Sequence, residues 1–198
     1  TAVARLVDAR VIEFVGTGQA RFTHQLVQEA AYRAMARRRR TAMHGNALVI
    51  LKEAKARTDV TLRVGTGDET ASHAELATHA EKAGLHAEAL GHLREACVQA
   101  LSLAAIDSVR QLHERACAVA ARLPAAQAAM ERSRFAMLVF DTLQQLSLEQ
   151  VLRADIQAVA EGRVDLGPAL RTVARINMAL LDWIDGAPTR GTVWLEQA

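Results

Sequence analysis

Residues 22–44 read FTHQLVQEAAYRAMARRRRTAMH, and this stretch separates two kinds of structure. Within it Leu26, Ala30 and Ala34, joined by Val27 and Ala31, recur at the three-to-four spacing of one helix face. The spacing predicts a helix from His24 to about Met35. Thr23 is its expected N-cap, because a threonine hydroxyl there accepts an orphan backbone N–H. The like charges of Arg37–Arg40 repel, so these side chains are expected to fan into solvent or to find carboxylates and helix C-termini. A second helix, from about Arg39 to Lys55, carries Met43, Ala47, Ile50, Leu51 and Ala54 at helical spacing.

Upstream, residues 2–10 (AVARLVDAR) read as a short helix with Val3, Leu6 and Val7 on one face. VIEFV then runs into GTGQ and out into ARFT, two β-capable runs around a glycine-rich turn, which predicts a hairpin. A helix followed by such a hairpin is how a winged-helix domain ends, so residues 1–35 are expected to be that end. The other reading is an isolated hairpin lying on helices.

Downstream, residues 57–71 (RTDVTLRVGTGDETA) lose the helical period, and Gly65, Gly67 and Asp68 mark a loop. Residues 36–71 are therefore expected to be a bridging helix and linker. GTGDET is no phosphate loop: it lacks GxxxxGK[ST] and puts acids where phosphates would sit. From Ser72 the pattern repeats. Ser72 is placed to cap a helix bearing Leu76, Ala77, Ala80 and Ala83 that stops at Gly84, and a second helix from near His86 bears Ala89, Leu93, Ala96 and Ala100. Leu76, Ala77, Gly84, Ala89, Leu93 and Ala96 fall at the spacing of a tetratricopeptide repeat.

Further helices are expected over about Ile106–Arg122, over 125–145 with Met130, Met137 and Phe140, after a capping box at Ser147–Gln150, and from Pro168 to about Asp185. Gly186, Gly191, Leu195 and Ala198 then repeat the spacing of Gly84, Ala89, Leu93 and Ala96, with Gly191 where the repeat has alanine. The expected fold is all-α. Residues 72–198 should form an antiparallel, tetratricopeptide-like helical-repeat superhelix, truncated at its C-terminus. A small winged-helix remnant containing a β-hairpin should precede it.

Composition narrows the function. The chain of 198 residues is 51% hydrophobic but 4% aromatic, and an alanine-rich apolar set favours close helix packing over strands. Charged residues at 23% argue against wholesale disorder. A formal net charge of +2 is too small to argue for nucleic acid. No apolar run approaches the ~20 residues of a membrane span, and the start is no signal peptide. A cytoplasmic location is expected, with Cys97 and Cys117 as buried free thiols. Among the histidines, 73/79 and 86/92 are six apart, which turns the paired rings to different faces, so no metal site is expected. No Ser–His–Asp order, Cys–His pair or phosphate loop stands out. The chain is expected to be no enzyme and to hold no cofactor by itself.

Phe22, His24, Leu26, Gln28, Glu29, Ala31 and Tyr32, followed by Arg40, Met43 and His44, resemble a motif of the form F-x-H-x-L-x-Q-E-x-A-Y and R-x-x-L-H, with Met43 in place of leucine. That motif belongs to the STAND class of signalling ATPases, most closely the large bacterial regulators that join an AAA-like ATPase module to a tetratricopeptide array. Glu75–His79 with Ala83 and Gly84 is similar to the first helix pair of that array. The resemblance implies a regulatory region whose parent binds ATP and ADP in an upstream ATPase module of the same chain. It also implies a protein partner or small effector on the concave face of the array, and an output through a LuxR-type DNA-binding domain or a class III cyclase. In such proteins a winged-helix histidine reaches the β-phosphate of bound ADP, and His24 is the candidate for that role in the intact parent. The plainer alternative is that His24 caps its helix. Two other readings of the whole chain are a stand-alone tetratricopeptide scaffold and a winged-helix DNA-binding module using residues 1–40.

Overall fold

The computed structural model describes residues 2–14, 20–61, 72–145 and 149–198. Helix accounts for 80% of it. In chain order the elements are α1 (Ala2–Asp8), β1 (Ile12–Phe14), β2 (Ala20–Phe22), α2 (Gln25–Ala34), α3 (Arg37–Thr61), α4 (His73–Lys82), α5 (His86–Ser102), α6 (Ile106–Ala120), α7 (Ala125–Gln145), a 3-10 turn (Glu149–Leu152), α8 (Arg153–Ala160), α9 (Pro168–Ile184) and α10 (Pro188–Gln197). From α3 onward each helix packs on its neighbours in sequence, and α7 also touches α5 and α9. The fold is an all-α helical repeat with an N-terminal hairpin.

The strands pair antiparallel, Ile12 opposite Phe22 and Phe14 opposite Ala20. The expected glycine-rich turn, at 15–19, lies outside the described residues. Thr23 does not cap α2. Its hydroxyl donates to the carbonyls of Arg10 and Val11, and its N–H bonds the Val11 carbonyl at 3.1 Å. The strand pairing carries Thr23 one step along the ladder, where carbonyls left by the α1–β1 turn take its donor. His24 is the N-cap instead, in extended backbone, and its side chain makes no capping bond.

Helix α3 is longer than the expected 39–55 and includes residues 57–61, which read as linker. Nothing in 46–61 breaks a helix, and the Arg57 Nε–H donates back to the Glu53 carbonyl at 3.2 Å. Local bonds of this kind extend a helix where no apolar period announces it. GTGDET lies outside the described residues. The inward face keeps Ala47, Leu51 and Ala54 of the expected stripe but is centred on Leu48, 2% exposed, while Met43 and Ile50 face solvent. His44 lies one turn from Leu48 on that face.

In the array Ser72 caps α4 as expected, its Oγ accepting from the Glu75 N–H at 3.2 Å. Leu76, Ala77, Ala80, Ala89, Leu90, Leu93 and Cys97 are buried together. The seam continues through Val109 and Val119 of α6, Phe135 and Phe140 of α7, Ile156 and Val159 of α8, and Met178 and Leu181 of α9. In α7 it is centred on the two phenylalanines rather than on Met130 and Met137. One fully buried leucine such as Leu93 stabilises by about 2 kcal/mol. An exposed ion pair such as Arg110–Glu114 gives about 0–1 kcal/mol, so the seam and not the surface charge holds the stack. Ser147 of the expected capping box lies outside the described residues; residues 149–152 form the 3-10 turn.

Three turns share one geometry. Ala83–Leu85, Leu103–Ala105 and Asp185–Ala187 each join two helices with three residues. The middle residue is left-handed in each: Gly84 at φ 78°, Ala104 at 51° and Gly186 at 72°. The third residue's N–H reaches back to close a six-residue loop, Leu85 to Ala80, Ala105 to Ala100 and Ala187 to Asp182, at 2.7–2.9 Å. A repeated turn that uses alanine once is invisible to a search for glycine.

Candidate functional site

The residues of the 22–44 motif divide into two groups. Tyr32, Arg40 and His44 turn inward and build a clasp. The Tyr32 hydroxyl lies 2.9 Å from His44 Nε2 across the α2–α3 bend. Arg40 donates through Nη1 to the carbonyls of Tyr32 and Arg33, both at 3.3 Å, and so satisfies the end of α2. Its guanidinium stands 5.3 Å from the Tyr32 ring centroid, and the Lys82 ammonium 5.9 Å from it. Of the four consecutive arginines, Arg40 finds a helix C-terminus while Arg37, Arg38 and Arg39 are exposed.

The clasp continues into the array. His44 Nδ1 lies 3.2 Å from Nδ1 of His79 on α4. One of those nitrogens must donate and the other accept, so both rings cannot be charged at once. Burial holds the His44 pKa below its ordinary value, and the charge of Lys82 and then His79 lower it further. A neutral His44 accepts from Tyr32 and donates to His79, or the reverse. His73 and His92 form a second cross-helix pair, Nδ1 to Nδ1 at 3.4 Å. Spacing along one helix shows that His73 and His79 diverge; it does not show which partner each meets on another element. Among the described residues no three His, Cys, Asp or Glu side chains gather as metal ligands.

Of the rest of the motif, Phe22, His24, Leu26, Gln28, Ala31 and Met43 are exposed, Leu26 by 80%, and Glu29 is half-buried. Helix α2 buries none of its residues. Val3 and Leu6 of α1, Phe14 of β1 and Val27 of α2 are also exposed. The N-terminal module thus presents much of its apolar content outward, unlike the array.

Beside the clasp lies a cleft of about 440 Å³. Arg37 and Arg40 of α3, Lys82 at the end of α4, His86 at the start of α5 and Arg122 after α6 line it, with Tyr32 at one side. Its carboxylate, Glu81, is engaged by Arg115 of α6 at 2.6 Å, an arginine that also donates to Thr78 and the Ala74 carbonyl. The cleft is therefore electropositive. No stretch of sequence announces it, because its cations come from two helices and a turn; the Arg37–Arg40 run is the visible part.

Other buried chemistry serves packing. Asp182, 3% exposed, receives Arg153 at 2.9 Å and Trp194 Nε1 at 3.1 Å. Cys97 is buried, and burial pushes its thiol up to about 11, which leaves it unreactive. Cys117, also free, is half-buried rather than buried as expected and lies 3.5 Å from His113 Nε2, a Cys–His contact one helical turn apart. No helix among the described residues is long and apolar enough to cross a membrane. No family model, curated protein or solved structure matches the chain.

Proposed function

We propose that this chain is the sensing and interaction region of a bacterial STAND-type signalling ATPase. In this reading the array binds a partner protein or small effector on its concave face. The effector binds one nucleotide state of the parent better than the other, and so shifts the balance between ADP-bound and ATP-bound forms. The parent's output is then transcription or cyclic-nucleotide synthesis. The chain itself hydrolyses nothing; ATP and ADP are handled by the upstream module.

The observation that supports this reading is how the motif is divided. Tyr32, Arg40 and His44 fasten α2 to the array, while Phe22, His24 and Leu26 lie exposed on a module whose helix buries no side chain. Exposed apolar side chains gathered on one small module mark an interaction surface. The ATPase module is the proposed occupant, with His24 at the α2 N-terminus directed to the nucleotide phosphate. The helix pairs by themselves suit a stand-alone scaffold equally well. A scaffold gives no reason for the exposed hairpin module.

The test is made on the full reading frame that encodes these residues. A GxxxxGK[ST] loop upstream, together with weaker ADP retention and raised basal output in the parent's His24→Ala variant, is the expected result. A reading frame without that loop removes the ATPase reading and leaves the scaffold. An intact loop with unchanged ADP retention removes the role of His24 alone.

A further inference from the structure

The cleft between the clasp and the first helix pair has no role in the reading above, and it stands on geometry independent of any ATPase. We infer that it is a binding site for a small phosphorylated ligand.

Its charge is the first argument. Arg94, Arg115, Arg132 and Arg153, elsewhere in the array, each have a carboxylate within 3.4 Å. Arg37, Lys82 and Arg122 have no such partner among the described residues, yet they converge on one concavity from three separate elements. Like charges brought together raise the energy of the folded chain, and a bound anion relieves it. The local acid does not serve, because Glu81 is already held by Arg115 at 2.6 Å.

The second argument is the supply of donors. His86 Nδ1 is buried and has no hydrogen-bond partner. His86 opens α5, a helix of 17 residues whose N-cap, Leu85, has no side-chain acceptor to offer. His86 lines the same cleft as the cations, and the N-terminus of the helix it opens is of the kind that favours phosphate oxygens. Arg40 is fixed by the Tyr32 and Arg33 carbonyls, and both it and Lys82 stand over the Tyr32 ring.

Size and charge select the ligand class. A cleft of about 440 Å³ lies within the range of small-molecule sites. Several cations around one open cleft match a phosphate ester of two or more charges better than a single carboxylate. A long acidic peptide would also need a basic track beyond the cleft, and Arg94, Arg110 and Arg115 of the adjoining helices are already paired with acids.

The experiment is calorimetric titration of the 198-residue chain with inorganic pyrophosphate at near-physiological salt, with thermal melts showing that each variant folds. The expected result is saturable one-to-one binding, weakened about tenfold or more by Lys82→Gln and by Arg122→Gln, the loss of one charge-assisted contact each. Arg38→Gln, outside the cleft, leaves it unchanged. Absence of saturable binding overturns the proposal. So does an equal loss in Arg38→Gln, which means diffuse charge attraction. Tighter binding of a hexaglutamate peptide that Arg122→Gln abolishes also overturns it, in favour of an acidic protein segment.

Discussion

The Tyr32 hydroxyl lies 2.9 Å from His44 Nε2, and this contact joins the helix after the hairpin to the helix that bridges it to the array. Both groups are half-buried, so losing one partner leaves the other short of a hydrogen bond in a place where water reaches it poorly. Tyr32→Phe keeps the ring and its two cations but removes the hydroxyl. The expected cost is about 1 kcal/mol in urea unfolding, with an unchanged denaturant slope. Tyr32→Ala also removes the surface under Arg40 and Lys82 and should cost more. Equal stability of Tyr32→Phe and the parent would show that the clasp contributes nothing.

Acid should loosen the molecule through its histidines. His44, His92 and His113 are all held below the ordinary histidine value, in each case first by burial; Lys82 and then His79 add to it at His44, and His73 and Lys52 at His92, while Glu88 and Glu95 oppose it at His92 and Asp155 and Glu114 at His113. An unfolded histidine takes up its proton near pH ~6.5, the folded one only at lower pH. Between those values the unfolded chain binds more protons, so stability is full above ~6.5 and is lost as pH falls through the lowered native values. The urea midpoint should therefore drop between about pH 7.5 and about pH 5.5, and His44→Gln should flatten the drop. A midpoint that does not move with pH contradicts neutral buried rings.

The helix pairs were legible because burial follows periodicity in them. Leu76, Ala77, Ala89 and Leu93 fall at repeat spacing and are all buried. Leu195, at the spacing of Leu93, is 40% exposed, because a matching interval does not supply a neighbouring helix to cover it. Legibility also failed where a polar residue belonged to a buried face. His44 takes that place on α3 because Tyr32 and His79 satisfy its ring, and a count of apolar residues chose Met43 and Ile50 instead. The cleft was hidden for a different reason: convergence of Lys82 and Arg122 on Arg37 is a property of the stacking, which no local window contains.

The α5–α6 turn carries a defect that a single atom group explains. Ala104 adopts φ 51°, the conformation that Gly84 and Gly186 adopt in the equivalent turns. A Cβ in that region costs about 1–2 kcal/mol. Ala104→Gly should raise stability by about 0.5–1 kcal/mol, the strain relieved less the extra freedom of the unfolded glycine. Gly84→Ala should do the reverse by about 1 kcal/mol, although no atom lies within 4 Å of the added carbon. Thermal melts of the two variants moving in the same direction would refute the shared-turn account.

Asp182 is the charged group whose loss should matter most. It is 3% exposed, accepts from Arg153 and Trp194, and lies 3.7 Å from Arg190. Asp182→Ala leaves Arg153 with Gln150 and the exposed Asp185 and strands the indole N–H, for an expected cost of about 3 kcal/mol. Asp182→Asn retains an acceptor for Trp194 and should cost less. A neutral Asp182→Ala would mean that the network is incidental.

Gly191 stands where the repeat has alanine, and Trp183 is the reason. A Cβ on Gly191 would lie 2.4 Å from Trp183 Cδ1 and Nε1, and 2.8 Å from the Ala179 carbonyl oxygen. The indole does not swing away freely, since its Nε1 donates to the Pro188 carbonyl at 3.3 Å. Gly191→Ala should therefore push α10 from α9 at a cost of about 2 kcal/mol. Alanine's better helix propensity, about 1 kcal/mol, does not offset a displaced helix. Trp183→Ala removes the nearer clash but leaves the carbonyl, so the double variant should recover part of the loss and not all of it. Urea midpoints of the two single variants and the double one measure this coupling. Strict additivity would show that the indole does not set the spacing of the last helix pair. Full recovery would show that the Ala179 backbone yields.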